Sequence, residues 1–232
     1  MRLLGRKKRV KKRRNIQLIS FSNSISPINE QYRLIRNNIH FSSVDNELSS
    51  ILITSAEPSE GKSTTAANLA IVLAQKGKRV ILVDADLRKP TIHYAFSLSN
   101  KEGLTTVLTK DCTLETAIMR TEVAYLDVLT SGPIPPNPSE LLDSKSMEIV
   151  MKELKGLYDY IVYDTPPILA VADSQNIANK CDGVVMVISS GETRRDRAIK
   201  AKELIEKAGS KMLGVVINGV EKKKDDFYGL YS

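Results

Sequence analysis

With 232 residues, of which 42% are hydrophobic and 26% charged, the chain is long enough to bury a core without disulfides or a structural metal, and one domain accounts for it. Its cysteines, Cys112 and Cys181, and its histidines, His40 and His93, stand apart from one another, which excludes a disulfide framework, a zinc site and a Ser-His-Asp triad. No apolar run approaches the roughly 20 residues of a membrane-spanning helix, and Leu3-Leu4 is too short for a signal-peptide core, so a cytoplasmic protein is expected.

The chain opens on a basic tail, predicted over residues 1–25. Arg2, Arg6, Lys7, Lys8, Arg9, Lys11, Lys12, Arg13 and Arg14 precede any acidic residue, and removing those nine from the formal net of +7 leaves −2 for residues 15 to 232. Such a tail can dock on anionic lipid at about 1 kcal/mol per basic residue, stand as a solvated arm, or, least favoured of the three, bind nucleic acid. Ser26-Pro27 then reads as a helix N-cap and first helical residue, with Ile28, Tyr32, Ile35 and Ile39 recurring every three or four positions. Glu30, Arg33 and Arg36 share one face of that helix, either as a solvated charged surface or as a contact.

Ser50-Ile51-Leu52-Ile53-Thr54 predicts a strand, and Ala56-Glu57-Pro58-Ser59-Glu60-Gly61-Lys62-Ser63-Thr64 follows it directly. A phosphate-binding loop requires an abrupt strand end, backbone N–H groups turned inward, an ammonium for the β- and γ-phosphates and a hydroxyl for Mg²⁺. Gly61, Lys62 and Ser63 supply the essentials, and Ser59, Glu60 and Thr64 complete the nucleotide-binding candidates. Ala56 stands where the pattern usually has its first glycine. The helix predicted over 64–76 carries Ala67, Leu69, Ala70, Leu73 and Ala74 at helical spacing, closes on Gly77, and turns its positive N-terminus to the phosphates.

Further strands are predicted at 79–84, 125–130, 159–164, 183–189 and 213–218, separated by helix-length stretches. Their near-continuous apolar character indicates parallel strands covered on both faces, and so a three-layer α/β/α sandwich. Two of them end in carboxylates beside the phosphate loop, at Asp84 and Asp86 and at Asp164. Mg²⁺ favours hard oxygen ligands, so Ser63, Asp86 and Asp164 are the metal candidates. Residues 131–138 form a Pro-rich connection into a helix that Asn137 caps, with Pro138 at its first position and Glu140 at its third. Asn218 ends the last strand, and residues 221–232 form a second polar tail, leaving 26–220 as the folded domain.

Taken together, SAEPSEGKST, ILVDADLRKP and YIVYDTPP resemble the Walker A, A′ and B motifs of the bacterial protein-tyrosine kinases that regulate capsule and exopolysaccharide synthesis. Glu30-Gln31-Tyr32-Arg33-Leu34-Ile35-Arg36 matches the E-x-x-R-x-x-R element that this family uses in subunit contact. The resemblance spans about residues 26 to 232. It implies a P-loop NTPase-like fold with a deviant Walker A, ATP and Mg²⁺ as cofactors, Lys62, Asp84 and Asp86 as catalytic residues, and a homo-oligomer in which protein tyrosines are phosphorylated. By that resemblance Asp84 would orient the tyrosine hydroxyl or accept its proton, and Asn218 would read adenine, although an Asn-Gly turn is the other explanation of Asn218. Tyr228 and Tyr231 are the implied acceptors, with C-terminal packing anchors as the alternative. A separate transmembrane activator with a cytoplasmic tail is implied, placing the chain peripherally at the inner face of the cell membrane. The nearest rivals are a ParA- or MinD-like ATPase switch and a nucleotide-gated membrane adaptor; the former carry a lysine five residues before the loop lysine, where this chain has Glu57.

Overall fold

In the computed structural model, which describes residues 16–22, 26–42 and 48–220, seven strands form one sheet in the order β3-β4-β2-β5-β1-β6-β7. They are β1 (Ser50–Ser55), β2 (Val80–Asp84), β3 (Ile118–Arg120), β4 (Leu126–Leu129), β5 (Tyr160–Asp164), β6 (Gly183–Ser189) and β7 (Met212–Asn218), and the shorter helices of the described residues are α1 (Ile19–Ser22), α4 (Ile92–Ala95), α5 (Leu104–Leu108), α6 (Leu114–Ala117) and α7 (Pro138–Leu142). All neighbours pair in parallel except β3, which runs antiparallel to β4 at one edge. The six runs expected as strands are all present; β3 is the additional one.

Alternation along each strand builds two apolar layers. Ile51 and Ile53 of β1, Val80 and Leu82 of β2 and Val162 of β5 face one core, shared with α2 (Pro27–Phe41) and α3 (Lys62–Ala74). Leu52, Ile81, Val83, Ile161 and Tyr163 face the other. That second core is closed by α8 (Lys145–Leu157), α9 (Asp173–Ala178) and α10 (Arg195–Lys207). Both sheet faces are thus covered, which is why these strands read as continuous hydrophobic runs, and the fold is the three-layer α/β/α sandwich. Among the described residues no helix is long and apolar enough to cross a membrane.

Two local expectations are corrected. Residues 16–22 belong to the packed body rather than to the tail predicted over 1–25. Asn68 of α3 accepts from the Ser20 amide at 2.9 Å and donates to Gln17 C=O at 2.8 Å, while Gln75 donates to Ser20 C=O at 2.9 Å. Asn137 precedes the helix Pro138–Leu142, but its side chain makes no capping bond; it donates instead to Glu140 Oε2 at 2.7 Å.

The start of β1 is pinned to the start of β6 by Asp182, whose Oδ2 accepts from the amides and hydroxyls of Ser49 and Ser50 at 2.7–3.1 Å. Burial opposes the Asp182 charge, but Lys155 and the Ser50 donors outweigh it and hold the carboxyl down at about 2. This fixes the register of the strand that delivers the phosphate loop.

Candidate active site

The loop after β1 has the backbone of an anion nest. Ser59 and Gly61 both take positive φ, at 70° and 95°, which turns successive N–H groups to one side. Gly61 is required twice over, because a Cβ at this position would also collide with the Asn218 side-chain amide. Thr65 N–H donates to Gly61 C=O at 2.9 Å, and the amides just before it, at the N-terminus of α3, have no helical partner. Ser63 and Thr64 lie half-buried at this mouth.

Lys62 begins α3 and points into the carboxylates. Its Nζ lies 2.8 Å from Asp86 Oδ2, 3.3 Å from Asp164 Oδ1 and 3.1 Å from Ser63 Oγ. Burial alone would lower the ammonium pKa, but Asp164 and then Asp86 overcome it and raise it. Asp164 is fully buried, which raises its own pKa against the opposing pull of Lys62. Its second oxygen, Oδ2, has no hydrogen-bond partner. A buried carboxylate oxygen left open beside a hydroxyl and a second carboxylate fits a hard, oxygen-seeking cation such as Mg²⁺. Ser63, Asp86 and Asp164 would hold it.

Asp84 is also fully buried, but it faces the backbone. Its Oδ2 accepts from the Thr91 and Ile92 amides, both at 3.0 Å, and its Oδ1 from the Asp86 amide at 3.3 Å. Burial, then the neighbouring Asp164 charge, pushes its carboxyl up to about 8. The carboxylate expected to meet a tyrosine is therefore engaged in holding the 85–92 turn that presents Asp86.

Asn218 reaches the site from β7, but what it touches is the loop: its amide donates to Glu60 C=O at 3.0 Å. Glu30 and Arg33 pair on α2 at 3.1 Å, whereas Arg36 spends one N–H on Val72 C=O at 2.9 Å and others on Asn37. Tyr228 and Tyr231 lie outside the described residues.

Sequence reasoning missed two supports. Arg88 grips Asp173 of α9 with two bonds, at 2.8 and 3.1 Å, and Ser139 Oγ also donates to Asp173. Burial opposes the Asp173 charge, but Arg88 prevails and keeps the carboxyl below its ordinary value. This clamp fixes the turn carrying Asp86. The other support is Thr193, which contacts the buried Glu60. Arg88 lies within ILVDADLRKP, but its partner Asp173, like Thr193, belongs to no spaced motif; only their place after strands ending at the same sheet edge marks them.

A family model described as an AAA domain matches residues 48–205. Tyrosine-protein kinase YwqD of Bacillus subtilis is 57% identical over 202 residues, spanning 87% of this chain and 85% of its own. The chain belongs to the bacterial tyrosine-protein kinase family. Within that family, the kinase domain of the Escherichia coli tyrosine kinase ETK superposes on this kinase with a TM-score of 0.86 at 32% identity, over 94% of this chain and 85% of that one. The septum site-determining protein MinD from Pyrococcus horikoshii, complexed with Mg-ADP, is more distant. Its TM-score is 0.64 at 26% identity, over 73% of this chain and 70% of its own. At the position of the rival signature lysine, this kinase has Glu57, which is bound to Arg197 at 2.9 Å.

Proposed function

We propose that the chain binds Mg·ATP at the Lys62 loop and transfers the γ-phosphoryl group to tyrosine hydroxyls, including Tyr228 and Tyr231 of its own C-terminal segment. The observation that carries this is the buried triad of Lys62, Asp86 and Asp164 at the N-terminus of α3, with Asp164 Oδ2 left open. Family membership supports the tyrosine acceptor, and the Mg-ADP named for MinD supports the nucleotide and metal.

Phosphoryl transfer is mostly positioning and charge neutralisation. On nucleotide binding, Lys62 would exchange its carboxylate partners for the β- and γ-phosphates, while amides of Glu60, Gly61, Lys62 and Ser63 meet phosphate oxygens. Ser63, Asp86 and Asp164 would hold Mg²⁺, which would supply charge neutralisation for the leaving diphosphate. Asp84 orients the acceptor through the turn whose amides it holds; for its own carboxylate to take the tyrosine proton, that turn must open. The tyrosine oxygen gains the phosphoryl group, its proton passes to solvent or a carboxylate, and ADP leaves. Incubating the protein with Mg·ATP and a peptide of residues 221–232 tests this. Phosphotyrosine on the peptide supports transfer, whereas ADP release without it favours an ATPase switch or nucleotide-gated adaptor.

We also assign Glu30, Arg33 and Arg36 to contact with a second copy, so that transfer proceeds in trans within an oligomer. An exposed pair such as Glu30–Arg33 contributes at most about 1 kcal/mol to the monomer fold, so replacing both by Ala should leave melting almost unchanged. Adding Arg36→Ala removes the Val72 bond and should cost about 1 kcal/mol more. The triple variant is expected to have a lower mass by light scattering and to autophosphorylate poorly; a mass equal to the parent's would remove the interface. A separate transmembrane activator, a basic segment on anionic lipid at the inner face of the cell membrane, and regulation of capsular or exopolysaccharide synthesis complete the proposal. Nucleic acid is the least favoured ligand of that segment.

A further inference from the structure

The phosphate loop contains a carboxylate where its ligand is expected to be an anion. Glu60 immediately precedes Gly61-Lys62, and only 4% of it is exposed. Turned toward the nest, its charge would oppose phosphate directly. In the structure it is held by two donors. Glu60 Oε2 accepts from the Glu57 amide at 2.8 Å, and Oε1 accepts from the Thr193 hydroxyl. Thr193 is itself fixed, because its Oγ1 accepts from the Ser189 amide at 2.8 Å at the end of β6. From the other side, Asn218 at the end of β7 binds the Glu60 carbonyl at 3.0 Å.

We infer that Thr193 is a positioning residue of the nucleotide site: it holds the Glu60 carboxylate out of the phosphate cradle and, with Asn218, braces the loop from strands outside every recognised motif. Two features of the loop agree with this. Ser59 is a non-glycine residue at φ 70°, a conformation that persists only where the surroundings impose it. The brace also comes from the ends of β6 and β7, whereas the loop itself leaves β1, so Glu60 ties the loop to two strands beyond its own. Thr193 touches neither phosphate nor metal in this assignment; it acts through Glu60.

This rests on the proposed nucleotide site, and binding of Mg·ADP by calorimetry, with thermal melts of each apo protein, tests the two separately. Thr193→Val, which keeps shape and removes the hydroxyl, is expected to weaken Mg·ADP binding about tenfold. Thr193→Ser should bind within about twofold of the parent. The deciding sample is the double variant Thr193→Val with Glu60→Gln, because an uncharged side chain freed toward the cradle no longer repels phosphate. It should recover to within about threefold of the parent, an outcome that a merely structural role for Thr193 would not produce. Parental affinity in Thr193→Val, or a double variant that binds no better than Thr193→Val alone, overturns the inference. A parent that does not bind Mg·ADP overturns the proposed function and this inference with it.

Discussion

Lys62→Met is expected to abolish measurable Mg·ATP binding and, at the same time, to lower the melting temperature of the nucleotide-free protein. The first effect follows from removing the only ammonium in contact with Asp86 and Asp164 among the described residues. The second follows because both carboxylates are almost fully buried and Asp164 already has one unpartnered oxygen. Removing one partner of a buried ion pair costs about 3–5 kcal/mol, on the order of 10 °C for a domain of this size. The two losses are separable. Adding Asp164→Asn to Lys62→Met relieves the uncompensated charge and should restore part of the melting temperature while leaving binding absent. Calorimetry and thermal melts on parent, single and double variants check this; parental Mg·ATP affinity in Lys62→Met would remove the loop from the chemistry.

Asp84→Asn is expected to separate stability from transfer in the opposite direction. The Asp84 carboxyl is raised to about 8 by burial and by Asp164. An acid whose folded pKa lies above its unfolded value holds a proton in the native state that the unfolded chain releases, so stability falls as pH rises from about 4 to about 8. Asn cannot ionise and escapes that fall. The variant should therefore melt higher than the parent above pH 8, by an amount worth on the order of 2 kcal/mol, and the two should converge near pH 4. Its Mg·ATP affinity should stay within about threefold of the parent, because Lys62, Asp86 and Asp164 remain. Tyrosine phosphorylation should drop about 10- to 100-fold as the turn holding Asp86 loosens and any proton-accepting role is lost. A parental rate would remove Asp84 from acceptor orientation, and a parental pH–stability curve would remove its buried charge as the cause.

The sheet was legible wherever strands are long and buried on both faces. The runs at β1, β2, β5 and β6 have no other apolar interpretation once a helix-length stretch separates them. β3 was not, because three residues at a half-exposed edge carry no periodicity. Residues 16–22 continue a segment without helical spacing, so their sequence alone does not separate them from the tail. What orders them is the side chain of Asn68, some fifty positions away. The Lys62 loop could be read from Gly61-Lys62-Ser63 and its flanking strand and helix. The supports of the site could not: Arg88 with Asp173, and Thr193 with Glu60, meet across 85 and 133 positions. Asp84 shows the converse. Its position at the strand end was read correctly, but three backbone amides of the following turn decide which way its oxygens face.

Tyrosine phosphotransfer to the C-terminal segment is tested most directly by mass spectrometry of the peptide bearing Tyr228 and Tyr231, after the purified protein is mixed with an excess of uniformly nitrogen-15-labelled Lys62→Met variant and incubated with Mg·ATP. Phosphate on tyrosine in the peptide derived from the inactive variant is the result expected, since the parent's active site must reach a second copy. Complete consumption of ATP with both tyrosines unmodified in parent and variant alike would contradict it.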